Sequence, residues 1–273
     1  MEHENFDRPP VTEVSLGAVF GPMPGFSQAH VGLFWEKLRA DFPQVQDQLP
    51  VPFSQNPPSS GGMHVELSFQ ALPPLRRTWF THKESDRLIQ FQEDGLILNW
   101  RKTQSPYPRY HTLRDEFKSI WQALVDVAVG SKLESPTFTQ AQVTYSNVFE
   151  LPSGEPFGIY KPNEAITQHS EEYDFTLSTK QEHSVWRSDV GFGQTSGTKG
   201  TLSCQLLRGG VIGSQGLDRN NVFFQQTFQS FTKTDSINNF IQVCDNGHDV
   251  IVENFSNLLS TKLRNTFGGN RNE

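Results

Sequence analysis

The sequence predicts an α+β fold built as two related halves, each a curved antiparallel sheet with a long helix packed on it. Three observations carry this expectation. Strand-like segments come in runs instead of alternating with helices, which disfavours a parallel doubly wound sheet. Each run is closed by one long amphipathic segment, beginning near Tyr110 in one half and near Ser236 in the other. The order strand, helix, strands, helix of residues 1–132 is then partly repeated across 133–267.

Val11 to Phe20 is rich in β-forming residues and runs into Gly21-Pro22-Met23-Pro24-Gly25, so a strand ends in a chain reversal. Ser27 offers an N-cap, and Val31, Phe34, Trp35, Leu38 and Phe42 follow at helical spacing up to Pro43. Residues 43–62 hold five prolines with Ser and Gly at the end, the composition of a long exposed loop. Met63, Val65, Leu67, Phe69 and Ala71 alternate with more polar residues, as in a strand with one buried face. Further strands are expected at 75–82, 86–93 and 96–102, with Asp94-Gly95 as a hairpin turn, completing a four-stranded meander. Tyr110, Leu113, Phe117, Ile120, Trp121, Leu124 and Ala128 then share one helical stripe.

In the second half, strands are expected at 138–150, 172–180, 183–193, 200–208 and 221–231. Pro152, Gly154, Pro156, Gly158 and Pro162 stand where the first half has its short helix, so 151–170 reads as an irregular insertion. The closing helix, 236–266, places Phe240, Cys244, His248, Ile251 and Phe255 near one stripe, with a weak point at Asn246-Gly247. Residues 268–273 read as a disordered tail. By analogy this order resembles the TATA-binding-protein-like and helix-grip architectures, which implies a fold and not a function.

No signal-peptide pattern opens the chain and no apolar run approaches a membrane span, so a cytoplasmic protein that does not enter membranes is expected. Cys204 and Cys244 form no CxxC pair, which fits two free interior thiols in a reducing compartment. The net charge of −7 disfavours nucleic acid or anionic lipid as partners through net charge alone. Leu75 to Tyr110 is locally +3, leaving −10 on the remainder.

Catalytic and metal-binding patterns are missing from the sequence. The eight histidines form no HExxH or Cys/His pair at zinc spacing, GxSxG is absent, and the glycine runs at 197–200 and 209–216 lack the GxxxxGK[ST] signature. Asn254-Phe255-Ser256 falls in a helical pattern and matches a glycosylation acceptor by chance. Carboxylates such as Glu84, Asp86, Glu171 and Glu172 read as solvated loop residues. No cofactor, catalytic residue or metal ligand is therefore expected. His248, with Asp249 beside it, reads as a histidine at the core boundary whose ring is satisfied by a backbone carbonyl, acid–base chemistry being the sharper alternative. The remaining candidate surface combines cations with flat rings: Arg76, Arg77, Trp79, Asn99, Trp100, Arg101, Lys102, Tyr107 and Arg109. Its competing arrangement buries Trp79 and Trp100 in the core and turns the arginines outward.

Several phrases together resemble a sporadically distributed, functionally uncharacterised bacterial protein family of similar length. They are Pro9-Pro10-Val11-Thr12-Glu13-Val14, Gly32-Leu33-Phe34-Trp35, Asn99-Trp100-Arg101-Lys102 with Tyr107-Pro108-Arg109-Tyr110, Val143-Thr144-Tyr145-Ser146-Asn147, and His248-Asp249-Val250-Ile251-Val252-Glu253-Asn254-Phe255. Gly247 departs from the pattern by standing where a better helix former is usual. Scattered occurrence implies accessory cargo, such as defence or antitoxin components. The expected function is thus a non-catalytic binding or regulatory protein that engages a protein partner. A small-molecule binder, with a pocket between sheet and long helix lined by some of the 22 phenylalanines, is the second expectation. A nucleic-acid binder using the 75–110 segment is the third.

Overall fold

Strands β1 (Val11–Phe20), β2 (Gln44–Gln48), β3 (Arg77–Thr81), β4 (Arg87–Gln92), β5 (Gly95–Arg101), β6 (Phe138–Glu150), β7 (His183–Gly191), β8 (Lys199–Arg208) and β9 (Asn221–Thr234) form one sheet. Their order is β2-β3-β4-β5-β1-β6-β9-β8-β7. Helices α1 (Gln28–Leu38), α2 (Tyr110–Gly130) and α3 (Ile237–Leu258) complete an α+β architecture. The computed structural model describes residues 6–49, 75–104, 106–150, 183–191, 199–208, 221–259 and 265–268. The strands expected at 63–71 and 172–180 and the insertion at 151–170 lie outside the described residues.

Antiparallel pairing follows from the registers of β2–β3, β3–β4, β4–β5, β7–β8 and β8–β9. Across β1 and β6, the Val148 amide donates to the Pro10 carbonyl and the Gly21 amide to that of Thr137, so one chain descends as the other rises. The β4–β5 hairpin closes one residue earlier than expected: Gln92 pairs with Gly95, so the two-residue loop is Glu93-Asp94 and Gly95 is the first residue of β5.

Two elements differ from the sequence expectation. The loop expected at 43–62 opens on β2, whose residues carry no apolar alternation. It is a strand because β3 offers it backbone partners from Gln44↔Thr81 to Gln48↔Arg77. α3 ends at Leu258, short of 266, and runs through Asn246-Gly247 without a break.

Two compact units divide the chain. One comprises Leu16–Ala141 and Thr232–Phe240. Its core is aromatic: Trp121 stacks on Phe138 at 3.9 Å, Phe138 on Phe240 at 4.2 Å, and Phe240 on Phe117 at 5.4 Å. Phe34 of α1 meets Phe80 and Phe91 edge-on, so α1 covers the sheet face that carries Phe80, Ile89 and Leu98. Each such ring contributes about 1.5–3 kcal/mol of apolar burial. The His30 ring accepts the Ser27 backbone amide at 2.9 Å, satisfying one donor at the α1 N-terminus.

The other unit comprises Met1–Ser15, Gln142–Phe231 and Ile241–Glu273. Phe6, Phe255 and Phe267 form an edge-and-stack cluster, joined by Phe149 and Phe224. Its interior also holds polar groups. The Gln226 side chain, fully buried, donates to the Ile251 carbonyl, and Asn254 donates to the Cys204 sulfur at 3.7 Å. Cys204 and Cys244 are free and buried, and burial pushes both thiols well above their ordinary range.

Candidate recognition face

Strand pairing sorts the side chains of β2–β5 into two sets, because neighbours in register point to the same face. Thr78, Phe80, Ile89, Phe91, Leu96, Leu98 and Trp100 are buried on the first face. On the second stand Gln44, Gln46 and Gln48 from β2, Arg77, Trp79 and Thr81 from β3, Leu88, Gln90 and Gln92 from β4, and Ile97, Asn99 and Arg101 from β5; of these Gln92 and Asn99 are buried. Gln46, Trp79, Gln90 and Ile97 form one cross-strand row.

A chain of contacts runs along that second face. The Arg77 guanidinium lies over the Trp79 indole, 5.2 Å from the ring centroid. The indole N–H donates to Gln90 Oε1 at 3.2 Å, and Gln90 Nε2 donates to Asn99 Oδ1 at 2.8 Å. Both rotamers and both amide orientations are thereby tied down. Trp79 and Gln90 remain half-buried, so ring and amide reach the surface.

Of the residues singled out in the sequence, Arg77, Trp79, Asn99 and Arg101 meet here. Trp100 stands on the opposite face, 1% exposed, with the Tyr107 ring 5.0 Å away. It packs beneath the surface. Arg76 is exposed and salt-bridged to Asp47 at 2.9 Å. Lys102 and Arg109 are exposed beyond β5 and ahead of α2, and Arg109 has a positive φ of 71°. His248 belongs to the other unit, where its Nδ1 lies 2.9 Å from the Tyr145 hydroxyl. A phenol is thus one partner of that ring.

A second constellation escapes sequence reading. At the β3–β4 turn, His82 and Asp86 are both buried, so Asp86 is not the solvated carboxylate expected. Arg87 donates through Nη1 to both Glu116 oxygens at 3.1 Å and through Nε to Asp86 at 3.3 Å. Its Nη2 lies 2.9 Å from His82 Nε2. A guanidinium can only donate, so the imidazole accepts from it; the same Nη2 lies 3.3 Å from Nδ1, which also accepts the Glu84 amide at 3.2 Å and stands 3.1 Å from Asp86 Oδ1. Burial pushes the His82 imidazole below its ordinary value, and the Arg87 cation adds to this against the pull of Asp86. Burial likewise raises the Glu116 carboxyl, while Arg87 pulls it back.

His82, Glu84 and Asp86 gather possible ligand atoms within 4.8 Å of one another. The fixed charge of Arg87 already lies against His82 and Asp86, supplying the positive charge a metal would bring. We read the cluster as an ion network, one guanidinium held between two carboxylates and an imidazole, that ties the turn to α2. The signal for it in the sequence is only His82 four positions before Asp86-Arg87; Glu116 arrives through the fold.

No protein-family model and no curated protein matches this chain. Among the described residues, no helix is long and apolar enough to cross a membrane.

Proposed function

We propose that this chain is a non-catalytic binding protein that engages a protein partner through the exposed face of β2–β5, in an accessory role of the defence or antitoxin kind. The observation that carries the reading is the Arg77–Trp79–Gln90–Asn99 chain, a half-buried cation, ring and amide anchored on buried Asn99 and fixed across three strands. Rigid tryptophan and arginine anchors are the residues from which protein interfaces draw most of their energy. Phe117, Phe138 and Phe240 stack in a row with Trp121, which favours a filled core over a pocket for these rings.

We further propose that residues 1–132 and 133–267 are related halves in a TATA-binding-protein-like arrangement. The sheet order supports this reading, because it runs nearly the same outward from its central pair: β1, β5, β4, β3 on one side and β6, β9, β8, β7 on the other. β2 has no counterpart among the described residues. Each half also closes on a long helix, α2 and α3.

The test is affinity purification from the native host with the wild-type chain and a Trp79→Ala variant, followed by mass spectrometry and an absorbance ratio for nucleic acid. The expected result is a stoichiometric protein captured by the wild type and lost with Trp79→Ala. Capture that is indifferent to Trp79, or co-purifying nucleic acid in place of protein, would overturn the reading.

A further inference from the structure

The exposed face of β2–β5 has an uneven charge. Its side chains include Arg77 and Arg101 and no carboxylate, within a chain of net charge −7. Four other arginines differ from Arg77: Arg39 pairs with Glu36, Arg76 with Asp47, Arg87 with Asp86 and Glu116, and Arg114 with Asp115. Among the described residues Arg77 has an indole and no carboxylate, and its Nε lies buried without a hydrogen-bond partner.

We propose that this face binds an extended acidic peptide segment of the partner, with a carboxylate of that segment seated on Arg77. The proposal rests on the reading of the face as a protein-binding surface and names what that surface recognises. The chemistry follows from how Arg77 is held. Its Cζ lies over the indole and its Nε is buried, which leaves the terminal Nη N–H donors as the binding end, and a carboxylate matches such a pair with two oxygens. The side-chain amides of Gln46 and Gln90, in one row with Trp79, offer both donors and acceptors to a peptide backbone laid across the strands.

Nucleic acid fits this face less well. A base needs an open ring to stack upon, and the Trp79 ring already carries Arg77. A polyanion also meets the long-range repulsion of a chain at −7, whereas a peptide with a few carboxylates meets little.

Fluorescence anisotropy with three labelled probes tests the proposal: a short capped peptide of alternating valine and glutamate, its valine–glutamine counterpart, and a short oligothymidine. The wild type should bind the glutamate peptide at least about tenfold more tightly than the glutamine peptide, the size expected of one charge-assisted contact. Arg77→Lys keeps the charge and removes the fork, so it should lose most of that preference, while Arg39→Gln on α1 should keep it. Circular dichroism melts of the variants establish that each is folded. Equal affinity for both peptides, or a preference unchanged by Arg77→Lys, overturns the acidic segment. If that equal binding is abolished by Trp79→Leu, the face survives as a binding surface. Preference for oligothymidine, or no binding by any probe, overturns the proposal as well.

Discussion

The ring of Phe228 occupies the volume in which a side chain on Gly247 would have to sit. It is fully buried, and Gly200 on β8 faces the same ring with the same lack of room. Gly247 therefore serves close packing, not chain reversal, and α3 continues through it.

Replacing Gly247 with alanine sets two effects against each other. Helix propensity favours alanine by about 1 kcal/mol. Overpacking against Phe228 and its neighbours costs about 1–3 kcal/mol, and more if the ring cannot move. The variant should be the less stable protein in urea unfolding. A raised midpoint would show that Phe228 is free to yield.

Acid should weaken the β3–β4 turn through His82. Its folded pKa lies below its ordinary value, so the unfolded chain takes up the proton first. The stability that His82 contributes is therefore complete above about pH 6.5 and declines as pH falls below that value. Buried Glu116 works in the opposite sense, losing stability as pH rises from about 4.5. Urea midpoints between pH 7.5 and pH 5 should fall for the wild type and fall less for His82→Gln. Parallel curves for the two proteins would remove His82 from the account.

Glu116 on α2 and Arg87 on β4 are about four-fifths buried and bonded twice. Glu116→Gln leaves the Arg87 charge partly uncompensated and should cost about 2–4 kcal/mol, with Arg87→Met in the same background recovering part of the loss. A cost below about 0.5 kcal/mol would mean that water screens the pair as at an exposed surface.

Phe240 lies between Phe138 and Phe117. Phe240→Ala should destabilise by about 3–5 kcal/mol, whereas Phe240→Leu, which keeps most of the volume, should cost less than half as much. Calorimetric melting of both variants separates them.

The helices are legible in the sequence because burial imposes a strict period: all seven stripe residues of α2, from Tyr110 to Ala128, are buried. β4 and β5 are legible from the residues around Asp94-Gly95, although the register sets the loop one residue earlier, at Glu93-Asp94. β2 is not, since a polar edge strand is specified by the partner beside it. The surface is half legible. That Arg77, Trp79 and the alternating Asn99 and Arg101 share faces within their own strands follows from period two. That Trp79 and Trp100 take opposite faces depends on the register between strands, and the local sequence holds no signal for that. The His82–Arg87–Glu116 network is illegible for a related reason: burial of a charge depends on a partner that the chain meets only after folding.

The place of β1 and β6 at the middle of the sheet order also governs the sequence of events by which the sheet can assemble. Thr12 and Ser146, bonded across this pair, are separated by 134 positions, while β4 and β5 meet through a turn of adjacent residues. Closing the long loop costs chain entropy before any contact offsets it. The outer hairpins can therefore form while the centre is still open, and the backbone of β1 stays unpaired on its β6 side until residue 150 has been made. During synthesis that strand is the segment most in need of protection from pairing with another copy.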